Sequence, residues 1–412
     1  MPRRGHPSGA GVLVTTDVVI VGASAGGLTV AEGLRRRGFT GSVTLVDADP
    51  ELPYDRPPLS KQVLDGRWPA ERARLRDPDE LDSLELDLRL GCPAVSLDAP
   101  GHRLTLLDGR VLRYRTLVLA TGLVARGLPG QERLAGVHTL RTLTDSELLR
   151  AELESARRVV VVGAGVLGCE IAATARGLGR EVTVVEPAAQ PMERLLGPEL
   201  GAEVARLHAE RGVRLLTSTQ VRGLVGEAGR VVGVRTGSGA VLPADVVVVA
   251  VGGRPATDWL TGSGLVLDDG VVCDERCRAA EDVYAVGDVA RFGAGAGSGA
   301  GAGEHGVRLE NRTNATDQGL FVAADILGAR AAYRPVPYVW SDQFQVRVQV
   351  YGTVPEGPSA VRIVQGSLHS RKFVAHVATD GRLVAVVGWN SPGGTRTARA
   401  LLTSRHPVPH AP

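Results

Sequence analysis

The stretch DVVIVGASAGGLTVAEGLRRRG, residues 17–38, runs from four β-branched residues, Val18–Val21, into a glycine turn at Gly22. A helical pattern follows and ends in the basic turn Arg35–Arg37. Strand, glycine turn and helix in that order make a cradle for the phosphates of a dinucleotide. The helix N-terminus supplies free N–H groups and the positive end of its dipole. The pattern for such a turn is G-x-G-x-x-G, and here Ser24 stands at the middle glycine, between Gly22 and Gly27. Its side chain is small enough to keep the loop a phosphate binder, with a hydroxyl contact added.

A near twin occupies residues 157–187, RRVVVVGAGVLGCEIAATARGLGREVTVVEP. There all three glycines are present: Gly163 for the tight turn, Gly165 for backbone approach to the phosphates, Gly168 for helix-to-strand packing. Each unit ends on an acid, Asp47 in VTLVD and Glu186 in VTVVE, placed to accept a ribose hydroxyl. The acid follows the last glycine by 20 residues in the first unit (Gly27 to Asp47) and by 18 in the second (Gly168 to Glu186). One such turn is a weak signal; two with strand, helix and terminal acid are not. Two dinucleotides in one chain point to a reductase that holds a flavin beside a nicotinamide.

Further apolar strands end in small residues at TLVLATG (116–122), DVVVVAVGG (245–253) and DVYAVGDVA (282–290). From Tyr333 onward the texture alternates, as in SDQFQVRVQVYG, which predicts an antiparallel sheet of its own. The expected fold is α/β, with two Rossmann-like dinucleotide-binding domains and a C-terminal α+β interface domain. The first domain is expected to be discontinuous, 15–124 with 252–332; the second spans 125–251 and the third 333–412. The run GAGAGSGAGAG (293–303), beside His305, reads as a flexible surface loop. Forty-seven basic residues against 45 acidic ones argue against a nucleic-acid binder. No apolar run is long enough to span a membrane, and the basic N-terminus lacks a signal peptide's apolar stretch, so a cytoplasmic location is expected.

Several stretches carry a family resemblance: PYDRPPLSK (53–61), LATG (119–122), HTLRTLTDSELLR (138–150), VYAVGDVA (283–290), RLENRTNATDQG (308–319) and PYVWSDQF (337–344). Together the chain resembles the NADH-dependent ferredoxin reductases of bacterial oxygenase systems, with apoptosis-inducing factor as a more distant relative. The resemblance implies FAD on the first turn and NADH on the second. It also implies a small iron–sulfur ferredoxin as partner, feeding a haem-thiolate monooxygenase or a Rieske oxygenase.

By the same resemblance the FAD side comprises Gly22, Ser24, Gly27, Asp47, Asp49, Arg56, Lys61, Ala94, Ala120, Thr121, Gly122, Arg126, Asp288 and Trp340. The NADH side comprises Gly163, Gly165, Leu167, Gly168, Glu186 and Gly252. Lys61 and Glu170 are the candidate catalytic pair, a cation beside the flavin compensated by a carboxylate, and Trp340 marks the electron exit. Asp47 sits where many relatives have glycine, with their ribose acid two positions later, so Asp47 and Asp49 compete for that role. Arg312 stands where relatives often carry a bulky aromatic. The four cysteines, 92, 169, 273 and 277, form no C-x-x-x-x-C pair after the first turn, so electrons must leave directly from the flavin rather than through a dithiol. Two other outcomes stay open: an NADH oxidase or quinone or monodehydroascorbate reductase, and a redox-sensing binding protein of the apoptosis-inducing-factor type.

Overall fold

The computed structural model describes residues 15–293 and 306–403. The basic N-terminal segment, all but the first residue of the glycine–alanine run, and His305 lie outside the described residues. The β-branched run that opens the sequence is the central strand of the first sheet, Thr15–Val21, paired in parallel with Val43–Val46 and Val111–Leu119. The sheet continues in parallel to Asp87–Arg89 on one side and Val283–Ala285 on the other. Val18–Val21 are buried on both faces, which is why they read as a continuous apolar run rather than an alternation.

The second unit repeats this plan. Five parallel strands lie in the order Arg214–Leu216, Glu181–Val185, Arg158–Val162, Val246–Val249, Val137–His138, with the fingerprint strand again central. An antiparallel trio, Val221–Glu227, Arg230–Thr236 and Val241–Pro243, accompanies it. The chain passes between the two sheets twice, and the passages pair with each other: Leu123–Ala125 runs antiparallel to Gly253–Pro255. The Arg126 N–H reinforces this crossing by donating to the Gly252 carbonyl.

The alternating C-terminal stretch is an antiparallel sheet of five strands, ordered Tyr338–Gln343, Val346–Gly352, Arg382–Trp389, Lys372–Thr379, Ala360–Ser367. The helix Pro392–Thr403 packs on it. Val348, Val350, Phe373, Val387 and Trp389 bury its inner face in one continuous core with Ile171, Leu196 and Val204 of the second unit. The first sheet keeps a core of its own. Alternation revealed one dry face; it gave no clue to which unit that face would meet.

Candidate active site

Both glycine turns are built by steric exclusion. Gly22 and Gly163 hold φ of +111° and +101°, and a Cβ on either would lie 2.3 and 2.4 Å from the carbonyl oxygens of Ala120 and Ala250. A Cβ on Gly27 or Gly168 would come within 1.8 and 2.0 Å of the Gly22 and Gly163 oxygens, so helix and strand could not close. The middle position is different. Ser24 (φ −80°, ψ −163°) and Gly165 (φ −70°, ψ −171°) share an ordinary extended backbone, and nothing lies within 4 Å of where a Gly165 Cβ would stand. The serine therefore costs the fold nothing. Its hydroxyl accepts a hydrogen bond from Arg56 Nη1.

The two terminal acids behave alike. Asp47 Oδ2 accepts from the Ala23 N–H and Glu186 Oε2 from the Ala164 N–H, each the residue after the first glycine of its turn. Asp49 instead accepts from the Tyr54 hydroxyl at 2.6 Å. Asp47 is thus the positional twin of Glu186, and Asp49 is committed to the following loop.

The turns open onto one cavity of about 510 Å³. Of the expected residues, Ser24, Arg56, Lys61, Ala120, Gly122, Gly165, Leu167, Glu170, Gly252, Asp288 and Trp340 line it. Gly22, Gly27, Gly163 and Gly168 shape the turns from behind, while Asp47, Asp49 and Glu186 sit at the strand ends. Three further expected residues lie off the lining. Thr121 donates its hydroxyl to the Ala256 carbonyl, Ala94 packs against the first core, and the exposed Arg126 turns to the Gly253 carbonyl at the crossing.

Among the lining residues that the sequence did not single out is a buried cation, Arg141. Arg141 reaches Asp288 at 3.3 Å, and burial, together with the nearby Arg56 charge, lowers its pKa. It lay in the HTLRTLTD run, but nothing local says that its side chain points inward. Arg56 lies near enough to Arg141 for its charge to be felt there. Among the described residues Arg141 alone of the two has a carboxylate partner, and both leave a buried Nε–H without a partner. Orphaned buried donors are rare, and here the excess is positive, beside a helix N-terminus. These are the requirements of a pyrophosphate, so the first turn and its arginines fit FAD. Arg312, at the start of the helix Arg312–Ile326, spans the mouth to Asp55 at 2.6 Å in place of an aromatic ring.

Between the turns, Lys61 Nζ meets Glu170 Oε2 at 2.7 Å, with side-chain exposures of 11% and 6%. Ser60 Oγ donates to the same oxygen at 2.6 Å. The other oxygen, Oε1, accepts from Ser341 Oγ at 3.0 Å and from the Asp342 N–H at 3.3 Å. Three separate segments of chain meet on this one carboxylate. Trp340, next in sequence to Ser341, begins a ladder: its ring stacks on Tyr338 at 5.8 Å, Tyr338 on Tyr351 at 4.4 Å, and the Arg399 guanidinium lies 5.3 Å above Tyr351. None of the four cysteines lines the cavity, and all are free thiols.

Fold and site define a two-dinucleotide oxidoreductase without a dithiol. Its sequence matches the pyridine nucleotide-disulphide oxidoreductase family over residues 16–319 and the reductase C-terminal family over 338–412. The chain is similar to rhodocoxin reductase of Rhodococcus erythropolis, 37% identical over 95% of this chain and 90% of that one. It is 38% identical to the ferredoxin–NAD(+) reductase component of the anthranilate 1,2-dioxygenase system of Burkholderia cepacia, over 94% of each. It superposes on putidaredoxin reductase, in the crystal structure of the covalent putidaredoxin reductase–putidaredoxin complex, with a TM-score of 0.88 and 35% identity over 95% of this chain and 94% of that one. The chain belongs to the ferredoxin reductases of the pyridine nucleotide-disulphide oxidoreductase family, which use FAD and NAD(H).

Proposed function

We propose that this chain is the reductase of an oxygenase system: it oxidises NADH and reduces a small iron–sulfur ferredoxin, which supplies a haem-thiolate monooxygenase or a Rieske oxygenase. The observation that carries this reading is that both glycine turns open onto one cavity, with the Lys61–Glu170 pair between them. Residues 15–124 with 252–332 hold FAD, 125–251 hold NADH, and 333–412 face the partner. The absence of a helix long and apolar enough to cross a membrane among the described residues agrees with work in the cytoplasm.

FAD, when bound, supplies the chemistry that joins the two substrates, accepting a hydride from the nicotinamide and giving up electrons singly. The protein's part is binding, orientation and charge. The N–H groups of the first turn, with Arg56 and Arg141, hold the pyrophosphate, and Asp47 takes the ribose. On the opposite side Gly163–Gly168 and Glu186 do the same for NADH. The Lys61 ammonium, on the cavity wall between the turns, would stabilise negative charge arriving on the ring, and Glu170 makes its burial tolerable.

Purified protein should be yellow, carrying one FAD per chain that acid or heat releases into the supernatant; colourless protein that cannot be reconstituted would refute the assignment. Coenzyme choice follows from Glu186. No lysine or arginine among the described residues pairs with it, and its two oxygens are held by the Ala164 and Ala188 N–H groups. A 2′-phosphate about 4 Å from that carboxylate would cost about 4 kcal/mol at an effective dielectric near 20. That is roughly a thousandfold in affinity before relaxation. kcat/KM should favour NADH strongly, and a preference for NADPH overturns the role given to Glu186. Stopped-flow reduction by NADH, followed by reoxidation with and without ferredoxin, tests the whole reading. Fast reoxidation by oxygen or quinone alone would point to an oxidase or quinone reductase, and a long-lived reduced complex to a redox sensor.

A further inference from the structure

We propose that Gln343 is a positioning residue for the Lys61–Glu170 pair, setting the direction of a buried hydrogen-bond chain in which every donor points towards the Glu170 carboxylate. The inference rests on the role just given to that pair. The chain starts at His208 on the helix Glu193–Glu210 of the second unit, which is 0% exposed. His208 Nε2 lies 2.8 Å from Gln343 Oε1; Gln343 Nε2 lies 3.0 Å from Ser341 Oγ; Ser341 Oγ lies 3.0 Å from Glu170 Oε1. Gln343 and Ser341 are each 1% exposed, so water does not substitute for any link.

The direction follows from what each group can do. Gln343 Nε2 also lies 3.0 Å from the Met192 sulfur, which accepts weakly and never donates. The amide NH₂, not the oxygen, therefore belongs on that side, and the oxygen faces His208. The imidazole must then carry a proton on Nε2. Burial lowers the His208 pKa and keeps the ring neutral, so Nδ1, which has no partner, is a bare lone pair and not an orphaned N–H. With the Gln343 amide donating into Ser341 Oγ, the serine's single proton is left for Glu170. Each carboxylate oxygen thus has its own holder: Oε1 the C-terminal strand, Oε2 the Lys61 loop. Without the chain, only the Asp342 N–H at 3.3 Å holds Oε1, and the carboxylate can turn further onto Lys61 and mask its charge.

Gln343→Glu tests this with almost no change in shape. A carboxylate at 343 accepts from both His208 and Ser341, so the serine proton turns away from Glu170. The expected result is NADH-driven single-turnover reduction slowed about tenfold, with the KM for NADH within about twofold of wild type. The oxidised–reduced equilibrium of the bound flavin should also shift about tenfold towards the oxidised form, roughly 30 mV for a two-electron couple. The potential is read by equilibrium titration, independently of turnover. Ser341→Ala removes only the last link, should move both readouts the same way, and carries the test if the first variant does not fold. Wild-type rate and potential in these variants, whatever happens to melting temperature, overturn the proposal. Lys61→Met separates the two ideas. If it alters rate and potential while the 341 and 343 variants do not, the positioning role falls and the pair stands; if it alters neither, the role of the pair itself is wrong.

Discussion

Glu170→Leu should cost the protein about 3–5 kcal/mol of folding stability, the range for breaking a buried ion pair by removing one partner. The loss is large because four donors converge on that carboxylate and all are left behind, largely buried, in the cavity wall. Lys61 is the worst served, since its ammonium keeps only Ser60 Oγ at 3.4 Å. Lys61→Met should be milder in stability, because Glu170 retains Ser60, Ser341 and the Asp342 N–H, yet it should slow hydride transfer the more by removing the cation from the ring. The double variant Lys61→Met/Glu170→Leu should fall well short of the summed single losses, as an apolar pair can pack where a lone charge cannot. Urea titration and stopped-flow reduction measure the two effects separately. A loss below about 1 kcal/mol for Glu170→Leu would mean that water reaches the pair.

The second large effect is expected at the exit. Trp340→Ala should reduce ferredoxin turnover about thirtyfold, the equivalent of a 2 kcal/mol interface anchor, while leaving reduction of ferricyanide nearly intact. The indole lines the cavity and is stacked from behind by Tyr338, so it reaches a partner already ordered and loses little side-chain entropy on docking. Arg399, capping the far end of the ladder, should matter through charge: Arg399→Gln should weaken the fall in ferredoxin rate with added salt more than it weakens the rate at high salt. Equal loss of both acceptors in Trp340→Ala would show that the substitution had damaged the flavin site instead.

The two glycine turns were legible because sterics leave no alternative at Gly22, Gly27, Gly163 and Gly168. Ser24 departs from a pattern that treats all three glycines alike, whereas the middle one carries no backbone demand. The Lys61–Glu170 pair lies 109 residues apart in sequence and was reachable through family resemblance alone. Arg141, Ser341 and His208 were invisible for a common reason. Each owes its direction to a unit other than its own, and periodicity describes only how an element meets its nearest core. What separates Asp47 from Asp49 is likewise tertiary: the Ala23 N–H reaches the one and the Tyr54 hydroxyl the other.

The paired crossing at Leu123–Ala125 and Gly253–Pro255 has a mechanical consequence. Two strands bonded to each other must twist together, so a tilt of the second unit against the first would turn about this crossing. The C-terminal sheet shares that unit's core, as do Tyr54, Leu59, Val63 and Leu64 of the Lys61 loop, so sheet and loop would follow the same lever. A tilt that widened the gap for the nicotinamide would carry Trp340 with it, away from Ser24 and Asp288 of the first unit. The doors for incoming hydride and outgoing electrons would then hang on one frame, and opening the first would move the second.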